Sequence, residues 1–347
     1  MGRGGVINAI SFNQDSSCFV TAASTGVRIF NTDPLVSNLT LPNDVVGGVV
    51  VAELLNKTNI LAVVGGGANA KFPENSVVLL DCSIPLKNKK TVDIRFSQPV
   101  LAVKIKETKL IVVLRNEIHI FSFPHRIERS CVFTTRDNPR GICEVCSTPN
   151  FNLLAFPGPK CGSVQLVDLN QREKTQSTSP NLFSAHDSEL AAIAIDNSAT
   201  FIATASRTGT LIRIFSAISK DKVAEFRRGL DGAMIYCLSF SSNSDFLCCS
   251  SDKCTVHIFA VRCTMLNRQS MFKSMGSLLG SYVESQWGFT GFSVPVDYAS
   301  VCAFTSASSV VALSANGSYS KYDFTVDGAC NREVYDVFTD LDDENEL

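Results

Sequence analysis

The stretch ATFIATASRTGTLIRIFS, Ala199–Ser216, decides the fold. Apolar and small polar residues alternate over Phe201–Ser206, break around Gly209, and resume as Leu211–Ser216 with a phenylalanine near the end. A period of two marks a half-buried strand, and a short glycine-bearing break between two such runs marks a hairpin. ELAAIAI (Glu189–Ile195) supplies a strand before it, and the chain reads as strand again on both sides of Phe226–Gly229.

The same unit recurs. Its ends read GVRIFN (Gly26–Asn31), SVVLLD (Ser76–Asp81), EIHIFS (Glu117–Ser122), SVQLVD (Ser163–Asp168), LIRIFS (Leu211–Ser216), TVHIFA (Thr255–Ala260) and SYSKYDF (Ser318–Phe324). They fall about 40–50 residues apart, with one wider gap before the last, which is the period of a four-stranded propeller blade. Seven ends predict an all-β, seven-bladed β-propeller. Most ends lack the Trp-Asp dipeptide of ordinary WD repeats, so the repeat is a divergent one. The chain starts on an inner-type strand, and CNREVYDVF (Cys330–Phe338) supplies the outer strand of the last repeat. The ring is therefore expected to close by packing of the first blade on the last, without a shared strand. Residues 1–338 form the propeller, 261–286 a long connection of blade six, and 339–347 an acidic tail.

Composition narrows the function. Of the 347 residues, 45% are hydrophobic, and the formal net charge is −2, which argues against a nucleic-acid or membrane binder held by bulk charge. No apolar run reaches the about 18 residues of a membrane-spanning helix, and MGRGGVINAI has no signal-peptide core. Thirteen cysteines without a tight framework read as reduced thiols of a cytosolic protein, several of them small apolar fillers in strands.

Catalytic signals are weak. The histidines are His119, His125, His186 and His257, with no HExxH and no GxSxG. Cys143 and Cys146 form a lone CxxC, but on a strand positions i and i+3 face opposite ways, so strand cysteines are expected. Gly65–Gly67 with Lys71 lacks the ending of a phosphate loop and reads as a hairpin turn of blade two. No metal, no cofactor and no catalytic residue is expected.

Arg227 and Arg228 ask for another explanation. A solvated pair guarding a strand edge is the plain one. Yet neighbours on an extended segment point to opposite sides, so the two can serve two separate pockets. Blade five supplies Thr204, Ser206, Gly209, Thr210 and Arg213 on one side in sequence; blade six supplies Ser251, Thr255 and His257 on the other. Guanidinium forks with hydroxyl and backbone donors are what phosphate recognition requires. Gly229 would let the chain bend after the pair. The connection Val261–Val296 adds Arg262, Arg268 and Lys273 beside Met271, Phe272, Leu278, Leu279 and Tyr282, a mixture suited to the bilayer interface. Its second half, WGFTGFSVPV, reads as an inward-packing strand of blade six.

Together FRRG (Phe226–Gly229), the two flanking segments and the run LLAFPG…GSVQLVDL (Leu153–Leu169) resemble the PROPPIN family, which includes the WIPI proteins of autophagy. The resemblance covers nearly the whole chain. It implies two sites for phosphatidylinositol 3-phosphate or the 3,5-bisphosphate. Arg227 would work with Thr204, Ser206, Gly209, Thr210 and Arg213, and Arg228 with Ser251, Thr255 and His257. It also implies a cytoplasmic protein recruited to preautophagosomal or endosomal membranes for autophagosome assembly. The runs in blades one and two look like the branch with the third and fourth WIPI proteins, which usually carry LRRG; Phe226 is the residue of the other branch. In that first branch the positions of Asn13 and Asp15 help bind the bridge-type lipid-transfer protein of autophagy. On physical grounds alone, Asn-x-Asp there is a β-turn. The alternative from another class is a cytosolic scaffold whose arginine pair contacts an acidic peptide.

Overall fold

The structure, a computed structural model, describes residues 5–83, 92–170, 181–269, 286–295 and 298–341. Seven antiparallel sheets of four consecutive strands account for the described strands, save one short addition. Blade one is Ile7–Phe12, Cys18–Ala23, Gly26–Asn31 and Val36–Pro42. Blades two, three and four span 47–95, 102–134 and 144–184. Blade five is Leu190–Ile195, Phe201–Ser206, Leu211–Ser216 and Lys222–Arg227. Blade six is Ile235–Phe240, Phe246–Ser251, Thr255–Ala260 and Thr290–Ser293. Blade seven is Ser300–Phe304, Ser309–Ser314, Ser318–Phe324 and Cys330–Val337. The first strands of all seven blades ring a central cavity of about 270 Å³.

Apolar residues alternate out of both faces of each blade, so the core is a set of layers between neighbouring blades. Side chains at one end of the channel add a chain of hydrogen bonds from hairpin to hairpin. Gln14 of blade one donates to the Leu54 and Ile105 carbonyls of blades two and three at 2.8 and 2.9 Å. Lys106 of blade three, almost fully buried, donates to the Cys146, Thr148 and Phe151 carbonyls of blade four. Thr148 donates to the Asn197 carbonyl of blade five at 2.6 Å, and Ser244 of blade six to the Asp196 carboxylate at 2.8 Å. Among the described residues Lys106 has no carboxylate in ion-pair range, and it is stable here because three carbonyls take its three N–H donors.

The ring closes as expected: blade seven holds its own outer strand and shares none with blade one. Phe19 and Phe30 stack at 4.8 Å, and Phe338 sets its edge against both rings at 5.4 Å. Tyr319, fully buried, donates its hydroxyl to the Thr32 carbonyl at 2.9 Å, and Lys321 pairs with Asp33 at 2.8 Å. Arg28 donates to the carbonyls of Phe338, Thr339 and Leu341, which seats the chain beyond the last strand.

One detail differs from the sequence reading. Gly65–Gly67 lies within the strand Ile60–Ala70 rather than in the turn. A Cβ at Gly65 would meet the Phe72 carbonyl oxygen at 1.8 Å, so glycine is needed for close strand approach. Cys143 and Cys146 are both buried free thiols, and Cys146 donates to the Asp196 carbonyl at 3.4 Å. The wide gap in the repeat is explained by the long connection between the third strand of blade six and its outer strand. WGFTGFSVPV carries that outer strand, with Phe289 and Phe292 buried.

The closing seam predicts a stability ranking. Tyr319→Phe leaves the Thr32 carbonyl without its donor and should cost about 1–2 kcal/mol in urea denaturation. Phe338→Ala, which opens the aromatic cluster, should cost about 3–5 kcal/mol. Equal, small losses from both would show that the seam does not hold the ring.

Candidate functional site

The outer strand of blade five, Lys222–Arg227, sets the geometry. It pairs with Leu211–Ser216 in the register Leu211↔Arg227, Ile212↔Phe226 and Arg213↔Glu225. Paired residues share a face, so Arg227 leaves on the face of Arg213 and Glu225, and Phe226 on the face of Ile212. Phe226 is fully buried and stacks on Phe259 of blade six, with ring centroids 5.1 Å apart. That contact identifies the two faces. Phe226 looks at blade six, so Arg227 looks away from it, toward blade four.

The blade-four side holds Thr204, which pairs with Arg213 across the next strands, and Ser206 two positions on; both hydroxyl residues are buried. Arg213 is held by Glu225 at 2.7 Å and by the Ala185 carbonyl at 2.6 Å. Burial opposes ionisation of Glu225, but hydrogen bonds from Lys222 and Arg213 outweigh it and keep its carboxyl below the usual range. His186, in the lead-in to blade five, sits 3.0 Å from the Thr204 hydroxyl. Burial, helped by the charge of Arg213, pushes His186 down to about 4. The sequence reading did not select His186. A histidine just before the first strand of a blade carries no periodicity signal; only folding brings it to Thr204.

The blade-six side is built around Arg228. Its backbone N–H bonds the Thr210 carbonyl at 2.9 Å, its Nε donates to the Gly209 carbonyl at 2.7 Å, and an Nη donates to the Asp231 carbonyl. The carbonyls of Gly209 and Thr210 are thus given to Arg228. Burial lowers its pKa, partly offset by Cys249, Asp252 and Asp231. Across the interface, Cys249 pairs with His257, and both lie on the face that carries Phe259. Thr255 is two positions before His257, and Ser251 two after Cys249, so strand alternation turns both toward the same interface. Burial and the neighbouring Arg228 charge push His257 down to about 4.

Gly209 is a strict requirement: its φ is +68°, and a Cβ would meet the Ala233 carbonyl oxygen at 1.8 Å. Gly229 is different. Its φ is not in the left-handed region and a Cβ there would have nothing within 4 Å, so it supplies no obligatory bend; open space lies over it. An unforeseen strand, Gln286–Trp287, pairs in parallel with Phe226 and Arg227, returning the long connection to the arginine pair. Met271, Phe272, Leu278, Leu279 and Tyr282 lie outside the described residues.

In blade one, Asn13 is nearly fully buried. Its side chain accepts from the Cys18 N–H at 3.0 Å and donates to the Asn56 carbonyl of blade two at 3.2 Å. Asp15 is exposed and accepts from Ser17. The turn reading therefore accounts for the contacts of both, and of the two side chains the carboxylate of Asp15 is the exposed one.

Comparison with known proteins agrees with this architecture. The PROPPIN family model matches residues 6–285. SVP1-like protein 2 of Pichia angusta is 33% identical over 296 residues, covering 83% of this chain and 81% of its own length. Autophagy-related protein 18e of Arabidopsis thaliana is 31% identical over 321 residues, covering 91% and 83%. The crystal structure of Kluyvelomyces marxianus Hsv2 superposes with a TM-score of 0.77 over 96% of this chain and 99% of that one. At 21% identity that likeness speaks for the fold.

His186, buried, and His257, half-buried, predict a pH dependence of stability. Both have folded values near 4, below an unfolded value near 6.5. The unfolded chain then binds protons first, so stability is fully present above about pH 6.5 and is lost toward pH 4. Each histidine should cost about 2–3 kcal/mol between pH 7 and 4.5. Glu53, pushed up to about 7 by burial in the channel, acts in the opposite sense. The comparison is therefore with the His186→Gln, His257→Gln variant, whose urea stability should fall less over this range. Parallel pH profiles would contradict the lowered values of the two rings.

Proposed function

The chain belongs to the PROPPIN family, and from that premise we propose that it binds phosphatidylinositol 3-phosphate, and the 3,5-bisphosphate, in two pockets on either side of the outer strand of blade five. It is a phosphoinositide-binding propeller of autophagy that works by recruitment, without chemistry. The observation that carries the two-pocket reading is the divergence of Arg227 and Arg228 to opposite faces of one strand. Each face also carries a buried hydroxyl and a histidine pushed down to about 4 by burial and a guanidinium.

The pockets supply complementary donors. Arg228 commits two side-chain N–H groups to carbonyls, which leaves three of its five for a phosphate and holds the fork in place before the ligand arrives. On the other face, Arg227 is the cation for the headgroup while Arg213 is held by Glu225. A neutral histidine beside each site offers one N–H donor without a second charge crowding the guanidinium. Two weak sites on one rigid edge make the second contact intramolecular, worth roughly 10²–10⁴ in avidity.

The propeller would stand edge-on at the membrane. Among the described residues no helix is long and apolar enough to cross a bilayer. Attachment is peripheral in this reading, through the headgroups and through Met271, Phe272, Leu278, Leu279 and Tyr282 of the connection that returns at Gln286–Trp287. The cytoplasmic protein is recruited to preautophagosomal or endosomal membranes and leaves blades one to three free for partners. Asp15, on the exposed turn that Asn13 braces, is the contact for the bridge-type lipid-transfer protein.

Liposome flotation tests this reading. Arg227→Thr with Arg228→Thr should abolish binding to vesicles containing phosphatidylinositol 3-phosphate. Each single change should halve the bound headgroup and lower apparent affinity by roughly 10²-fold. Because Arg228 also braces two carbonyls, urea stability is measured alongside, and Arg228→Lys separates the fork from the charge. Undiminished flotation of a folded double variant would sink the proposal. Leu278→Asp with Leu279→Asp should weaken flotation while leaving soluble headgroup binding intact.

A further inference from the structure

A cavity of about 700 Å³ opens where the connections of blades three to six meet, and neither Arg227 nor Arg228 lines it. Its walls carry Arg136 and Arg140 from the link between blades three and four, Lys160 from blade four and Arg207 from blade five. Its floor is apolar, with Ile142, Leu190, Ala191 and Ala233. Met234 stands at its edge, 54% exposed.

The charges around the cavity are unevenly matched. Glu189 takes Arg207 at 2.9 Å and Arg136 at 3.8 Å. Asp137 is bound by Arg115 at 2.5 Å, and Asp252 accepts the Met234 N–H at 3.0 Å. Arg140 gives one Nη to the Ile235 carbonyl at 3.0 Å and, among the described residues, has no carboxylate in ion-pair range; nor has Lys160. Burial and the nearby Arg207 charge both work against the Arg140 guanidinium, which an anion would relieve.

We propose that this cavity docks an acidic peptide segment of a partner protein, with a carboxylate on the free fork of Arg140 and an adjacent apolar side chain on the floor beside Leu190 and Ala233. The mixed rim selects this occupant. Glu189, Asp137 and Asp252 stand among the cations and repel a polyphosphate, whereas one carboxylate beside an apolar group meets one free guanidinium and one apolar floor. An exposed methionine at the edge adapts to side chains of varied shape. The site uses none of the side chains assigned to headgroup binding, so it can be occupied while the propeller is on a membrane.

The test is selection of the full chain against a random twelve-residue peptide library, with the recovered peptides measured by fluorescence polarisation. The expected peptides carry Asp or Glu next to an apolar residue. They should bind Arg140→Glu at least tenfold more weakly, Met234→Asp more weakly, and Arg227→Thr unchanged. They should also slow maleimide labelling of Cys161, an exposed thiol in the cavity wall, read by mass spectrometry. Recovery of no peptides, recovery of peptides without acids, equal binding by a folded Arg140→Glu, or displacement by a nucleoside triphosphate would each overturn the proposal. Met234→Asp alters an exposed side chain and keeps the test valid if Arg140→Glu does not fold.

Discussion

The stacking of Phe226 on Phe259 is the contact on which the functional reading depends. One buried ring pins the outer strand of blade five in register against blade six. A slip by a single residue would expose Phe226 and exchange the faces of its neighbours, because side chains alternate with a period of two. With the ring in place, Arg227 and Arg228 cannot converge on one ligand. The phenylalanine that distinguishes this motif from LRRG is thus the residue that orients the two arginines.

The electrostatics of the two sides are alike in kind although the residues are not symmetric. On each, an imidazole lies near a guanidinium, and desolvation and that charge together push it down to about 4. The result is a local positive charge with a neutral donor beside it. Arg228 is part of the fold as well, because it ties the Gly209 turn to the loop at Asp231.

The ring makes these sites rigid. Hairpin-to-hairpin bonds run from Gln14 through Lys106 and Thr148 to Ser244, and aromatic packing closes blade seven on blade one. Blade six accommodates the long connection between its third and outer strands because Thr290–Ser293 completes the sheet regardless of what precedes it. The loops of blades three to six meanwhile meet around a cavity whose charge pattern differs from that of the strand edge. One scaffold therefore presents surfaces of different chemistry on different sides.

Local pattern carried much of this. Alternating apolar runs ending in VRIF, VVLL, IHIF, VQLV, IRIF, VHIF and YSKY determined seven blades, and the adjacency of Arg227 and Arg228 on an extended segment determined that they part, since both follow from the strand period alone. Tertiary structure decided what each arginine meets. His186 and Thr204 lie 18 residues apart and come together only when blade four packs on blade five. Burial decided that Asn13 is a brace, that Gly229 is not a compulsory bend, and that among the described residues Arg140 stands without a carboxylate in ion-pair range. Periodicity tells which way a side chain points within its own strand; the neighbour it finds there belongs to another blade, and only the closed ring places that blade beside it.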